Sequence, residues 1–220
     1  MIASELISKV VPPLRPTDDA ERALQWMDEF KVSHLPVVDG THFLGIISES
    51  DILDANAPGG TVANLDADLE RAFVSDTQHI YYVIRRLAST DLTCIAVLDA
   101  DEHYMGCITQ SDLVMKFEDL AVINQPGGIL IIALKDMDYS LARIAHIVES
   151  NGVSILSSYI FTRKDTGSIE LTLKVNREDL SPVIQSLERH DYEVTSFFQE
   201  ASHLEDLKGR YDELMRYINI

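Results

Sequence analysis

Two amphipathic stripes organise the first half of the chain. Ala20, Ala23, Leu24 and Met27 stand at spacings i, i+3, i+4, i+7, and Ile80, Val83, Ile84 and Leu87 repeat that pattern sixty residues later. Each stripe predicts a helix with one buried face. Behind each follows a short apolar run closed by aspartate, Leu35–Asp39 (LPVVD) and Ile95–Asp99 (IAVLD), which predicts a buried strand ending in a turn. A second matched pair comes next, LGIISESDIL at residues 44–53 and MGCITQSDLV at 105–114. Each repeat therefore reads strand, helix, strand, strand, helix, the first over about residues 8–56 and the second over about 68–118. The stretch NAPGGTVAN at 56–64 has a linker's composition. Neither repeat alone would bury both faces of so small a sheet, so residues 1–118 are expected to form one joint domain.

The pattern changes after residue 118. FEDLAVINQPGG ends in a turn-rich junction, giving a linker over 119–128. Residues 129–134 (ILIIAL) predict a buried strand. Leu141, Ile144, Ala145 and Val148 predict a helix closed by Asn151-Gly152. The runs 153–161 and 169–175 are rich in β-formers, with Gly167 suited to the hairpin between them. Leu180, Val183, Ile184 and Leu187 give another stripe, and 192–198 a last strand. The order β-α-β-β-α-β over 129–199 is that of the ferredoxin-like split motif. In 200–220, Leu204, Leu207, Tyr211, Leu214 and Ile218 follow alternating steps of three and four, the seam of a C-terminal helix. That helix could lie on its own domain or pair with a partner's. The fold class is thus α+β.

Composition narrows the partners. Apolar residues make 46% and charged residues 25% of the 220, the proportions of a soluble globular protein. No apolar run approaches the roughly 20 residues a membrane helix needs, and MIASELISKVVPP lacks a signal-peptide pattern. A cytoplasmic location is expected. The formal net charge is -18, and residues 1–125 alone hold 21 acidic against 8 basic residues. Such a surface repels nucleic acid and anionic lipid. Cys94 and Cys107 lie in apolar strand-like runs and read as buried, inert thiols.

The candidate chemistry sits in the doubled Gly-h-h-[Ser/Thr]-x-x-Asp, where h is apolar. Ser48 with Asp51, and Thr109 with Asp112, have the spacing of a capping box, in which hydroxyl and carboxylate satisfy free N–H groups at a helix start. The same opening can hold a ligand, the carboxylate accepting from a ribose diol and the hydroxyl reaching sugar or phosphate. No G-x-S-x-G, H-E-x-x-H, P-loop or C-x-x-C is present, and the seven histidines are scattered, so no reaction is indicated and a non-catalytic role is expected.

The element order, the HLPVVD strand and the GIISESDIL/GCITQSDLV pair resemble a tandem CBS-domain pair, or Bateman module, over residues 1–118. The resemblance implies a regulatory adenine-nucleotide site in each repeat, carried by Ser48 and Asp51 and by Thr109 and Asp112. It further implies apolar walls from Val37, Ile46 and Ile47, or Val97 and Ile108, and phosphate contacts from His34 and Arg15 in the first copy. AMP, ATP or S-adenosylmethionine would be the regulatory ligand, with no cofactor. Residues 129–199 resemble an ACT domain, and the whole order, QPG junction included, is similar to acetoin-utilisation AcuB-type proteins. A homodimer and a regulated metabolic enzyme as partner are what that resemblance implies. Tyr139 stands where ligand-binding ACT domains carry glycine, and Asp138 would repel a carboxylate. A dimer-forming scaffold is therefore expected of this half, with amino-acid sensing as the alternative. The function expected for the chain is nucleotide-responsive regulation through a dimeric ACT-like domain, against a ligand-free interaction scaffold.

Overall fold

In the computed structural model, which describes residues 1–55, 59–65, 69–134, 139–163 and 167–199, the two stripes are α1 (Ala20–Phe30) and α3 (Ile80–Thr90). α1 buries Ala20, Ala23 and Met27, and α3 buries Ile80, Val83 and Leu87. Leu24 and Ile84, each one step round the helix, stay partly exposed. Both helices end on a left-handed residue, Lys31 and Asp91, at φ 55° in each. The chain divides into two compact units, Met1–Phe117 and Glu118–Ile220.

In the first unit β1 (His34–Asp39) pairs antiparallel with β2 (His42–Ser48), and β4 (Cys94–Leu98) with β5 (Tyr104–Thr109). Both hairpins carry a bulge at the matched place, Val37/Val38 and Val97/Leu98. Their turns differ: Gly40-Thr41 joins the first pair, with Gly40 at φ 62°, whereas the second is joined by Asp99–His103, where Asp99 N–H donates to the His103 carbonyl and leaves a three-residue tip, Ala100-Asp101-Glu102, with Glu102 at φ 59°. That one extra residue lengthens the repeat offset between Asp39 and His42. The short helices α2 (Glu49–Asp54) and α4 (Gln110–Leu120) follow. α4 takes up the first residues of the expected linker. β3 (Phe73–Ser75) runs parallel to β4, but its counterpart in the first repeat is a single bridge between Leu14 and Val37. The strand expected near residue 8 does not form, because the segment there is paired elsewhere.

That pairing interlocks the repeats. Ser8 N–H donates to the Cys107 carbonyl at 2.8 Å, and Ala3 and Ser4 donate to Gln78 and Asp76, so the segment leading into repeat one lies on repeat two. Conversely, Glu70 and Ile46 exchange backbone hydrogen bonds of 2.9 and 3.1 Å, and Val62 and Ala63 donate to Asp18 and Pro16. The segment leading into repeat two thus lies on repeat one. The linker stretch at 59–64 is tied down by these bonds; residues 56–58 lie outside the described residues. Cys107 of the second repeat belongs to the buried cluster of the first, with Leu14, Leu35, Val37 and Ile47. Cys94 and Cys107 are both free thiols and fully buried.

The interlock explains the glycine in each copy of the repeated motif. A Cβ added at Gly45 would stand 2.6 Å from Leu69 Cβ, and one at Gly106 would strike the Ile7 side chain. Glycine is needed there because the crossing segment rests directly on the strand.

The second unit runs β6 (Gly128–Leu134), α5 (Leu141–Ser150), β7 (Ile155–Thr162), β8 (Ile169–Val175), α6 (Ser181–Arg189), β9 (Glu193–Gln199). Its sheet order is β7-β8-β6-β9, with every neighbouring pair antiparallel. Leu130, Ile132 and Leu134 alternate toward the helices and join Leu171, Leu173, Ile144, Val148, Val183 and Leu187 in one core. α5 buries Ile147 rather than Leu141. The opposite face carries Tyr159 beside Thr172 and Ile131, and Phe161 beside Glu170 and Ala133. The expected C-terminal helix at 200–220 and the turn at Asp136–Asp138 lie outside the described residues.

Gly45→Ala and Gly106→Ala are each expected to lower the free energy of unfolding by about 1–3 kcal/mol, since overfilling a closed contact forces backbone shifts. Urea titration checks this; unchanged midpoints would show that the crossing segments do not bear on the strands.

Candidate ligand site

Both repeats form the reciprocal cap. Ser48 N–H and Oγ–H donate to Asp51 Oδ2 at 3.0 and 2.5 Å, while Asp51 N–H donates back to Ser48 Oγ at 3.1 Å. Thr109 and Asp112 reproduce this with 3.1, 2.6 and 3.0 Å. The same carboxylate oxygen accepts both bonds each time. Among the described residues, Oδ1 of Asp51 and of Asp112 accepts no hydrogen bond, which leaves it available to a hydroxyl donor. α2 is only 6 residues long, so its dipole adds little, and oxygen atoms define this opening.

A hollow of about 270 Å³ lies beside the first cap, lined by Ser33, His34, Ser48, Glu49, Ser50 and Leu53. His34 and Ser48 are thus brought together. Arg15 is not: it lines a separate hollow of about 760 Å³ with Arg22, Trp26 and Asp39. Val37 and Ile47 are 1% and 0% exposed, and Ile46, Val97 and Ile108 are likewise buried, so these strand residues are core and present no wall to a base. The apolar surface at the hollow comes from Leu53, which is 59% exposed. The strand pattern marked those residues as apolar without telling which face looked out.

His34 faces its own counterpart across the repeats. Thr93 N–H donates to His34 Nδ1 at 3.2 Å, Ser33 N–H donates to Thr93 Oγ1 at 3.0 Å, and Cys94 Sγ–H donates to the His34 carbonyl at 3.1 Å. An Nδ1 that accepts a backbone N–H belongs to a neutral ring with its proton on Nε2. Burial pushes the His34 pKa below its ordinary value, against the opposing pull of Glu70, Asp51 and Asp91. The cation expected for a phosphate is therefore a neutral donor. Thr93, which sets this tautomer, carried no signal in the sequence beyond matching Ser33 sixty residues earlier.

In the second unit Tyr139 packs against the core and borders a hollow of about 810 Å³ with Ser140, Arg143, His190 and Tyr192. Ser140 caps α5 by accepting from Arg143 N–H at 3.4 Å.

Because His34 binds a proton less readily in the folded state than in the unfolded chain, stability falls as pH drops through the ordinary histidine range near 6.5 toward the lower folded value. His34→Gln, which keeps an acceptor for Thr93 N–H, should flatten the decline of the urea midpoint between pH 7.5 and 5.5. Parallel curves for the two proteins would show that His34 does not titrate with folding.

Among the described residues no helix is long and apolar enough to cross a membrane. Three solved structures illustrate what the chain is similar to. The Arabidopsis thaliana CBS-pair protein CBSX2, solved in complex with AMP, is 22% identical over 54% of this chain and 97% of that one, at a TM-score of 0.47. A CBS domain pair/ACT domain protein from Thermotoga maritima is 18% identical over 55% and 98%, at 0.48. A Vibrio cholerae protein named for acetoin utilisation (AcuB) is 21% identical over 56% and 94%, also at 0.48. The family model of the CBS domain matches residues 3–57, the segment that holds the first helix, hairpin and cap. The first repeat thus matches the CBS domain, and the second repeat, interlocked with it, has the same order of helix, hairpin and cap.

Proposed function

We propose that the CBS pair is a non-catalytic regulatory module that holds an adenosine-bearing ligand at Ser48 and Asp51, and a second at Thr109 and Asp112. The observation that carries this reading is the unused Oδ1 in both caps. A ribose diol offers two O–H donors to such a carboxylate, and a hydrogen bond to a charged group contributes about 1.5–3 kcal/mol. The charge of the lining selects among ligands. Among the described residues, the hollow beside Ser48 has Glu49 and a neutral His34 on its wall and no lysine or arginine. This favours AMP or the sulfonium cation of S-adenosylmethionine over the polyanion ATP.

Unit two is read as the ferredoxin-like, ACT-like domain over about residues 129–199, reached through 119–128, and as the dimer-forming part that passes the signal to a metabolic enzyme. The second reading, an interaction scaffold, is favoured by exposed apolar side chains on α4, where Val114 is 72% and Met115 59% exposed. Both readings need a dimer.

Titration calorimetry on ligand-freed protein should give heat with AMP or S-adenosylmethionine and less with ATP. Asp51→Asn keeps an oxygen for the cap, so it should weaken first-site binding about tenfold, equal to about 1.4 kcal/mol, with a small change in the ligand-free melting temperature. Silence from all three ligands leaves the scaffold as the function. Sedimentation equilibrium should report twice the 24.7 kDa chain mass; a particle of single-chain mass at micromolar concentration rejects both readings.

A further inference from the structure

We propose that the tips of the two hairpins in the CBS pair form a site for one divalent transition-metal cation of the zinc type. Ligand atoms of Asp99, Asp101 and His103 all lie within 4.8 Å of one another. Asp99 Oδ2 stands 3.4 Å from His103 Nδ1. Donors about 2.0–2.1 Å from a tetrahedral ion are about 3.4 Å apart, so this pair is already spaced as two ligands of one ion.

His42 of the other repeat lies outside this three-residue cluster but beside it, and a turn of its side chain would make it the fourth donor. His42 and His103 form an antiparallel bridge, fixed by Tyr104 N–H donating to the Thr41 carbonyl at 2.9 Å, and their ring centres are 6.2 Å apart. The pairing of two tips thus brings close together imidazoles that stand 61 positions apart in the sequence. The longer second turn supplies the carboxylates. Asp99 Oδ1 accepts from Asp101 N–H at 2.9 Å and His103 N–H at 2.8 Å, which pins the loop and leaves Oδ2 toward His103. Glu102 is turned to Arg71 at 2.9 Å.

Two imidazoles with two carboxylates suit zinc, cobalt or nickel, whereas magnesium and calcium prefer oxygen donors alone. The acidic excess of residues 1–125 adds attraction for any cation. The site is independent of the nucleotide reading.

Zinc chloride titrated into full-length protein stripped with EDTA should bind at one ion per chain. His103→Ala and His42→Ala should each weaken binding at least tenfold, and Asp101→Asn should weaken it measurably, while His146→Ala should not. These side chains lie at exposed tips, so metal-free melting temperatures should match the parent. Cobalt should give tetrahedral visible bands that vanish in His103→Ala. Absence of zinc binding, or binding that survives in the His42→Ala/His103→Ala double variant, overturns the proposal.

Discussion

The constraint on which the first unit depends is the exchange of leading segments. Residues 1–8 lie on repeat two, and residues 60–63 with Leu69 and Glu70 on repeat one. Each repeat therefore borrows the chain that covers it, and neither completes its core alone. The glycines at 45 and 106 follow from this, since a side chain at either would occupy the space of Leu69 or Ile7. Residues 3–8 are spent on the other repeat, and the first strand of repeat one is a single bridge from Leu14 to Val37.

The same crossing sets the character of the cap openings. Where β1 and β4 begin, Ser33-His34 meets Thr93-Cys94, and the contact turns a histidine into a neutral hydrogen-bond acceptor. The opening is consequently polar and acidic rather than cationic. One carboxylate oxygen closes the helix start, while among the described residues the other accepts no hydrogen bond.

At the far end of the hairpins the symmetry is broken. A two-residue turn faces a three-residue turn, and only the longer one places an aspartate at 99 and at 101 around its histidine. In unit two the sheet has one face closed by α5 and α6, and an opposite face with aromatic side chains on its outer strands.

The sequence by itself determined the periodicities: both stripes in each half, the hairpins, the doubled cap and the β-α-β-β-α-β order were legible because helix and strand spacing are local properties. The cap was legible for the same reason, its partners being three residues apart. Tertiary structure alone decided what faces what. It put Val37 and Ile47 in the core, sent Arg15 to a different hollow from Ser48, and paired His34 with Thr93 and His42 with His103. Those outcomes depend on which segment crosses to which repeat, and two nearly identical repeats offer their own and each other's surfaces on equal local terms. Long-range packing, not spacing, chooses between them.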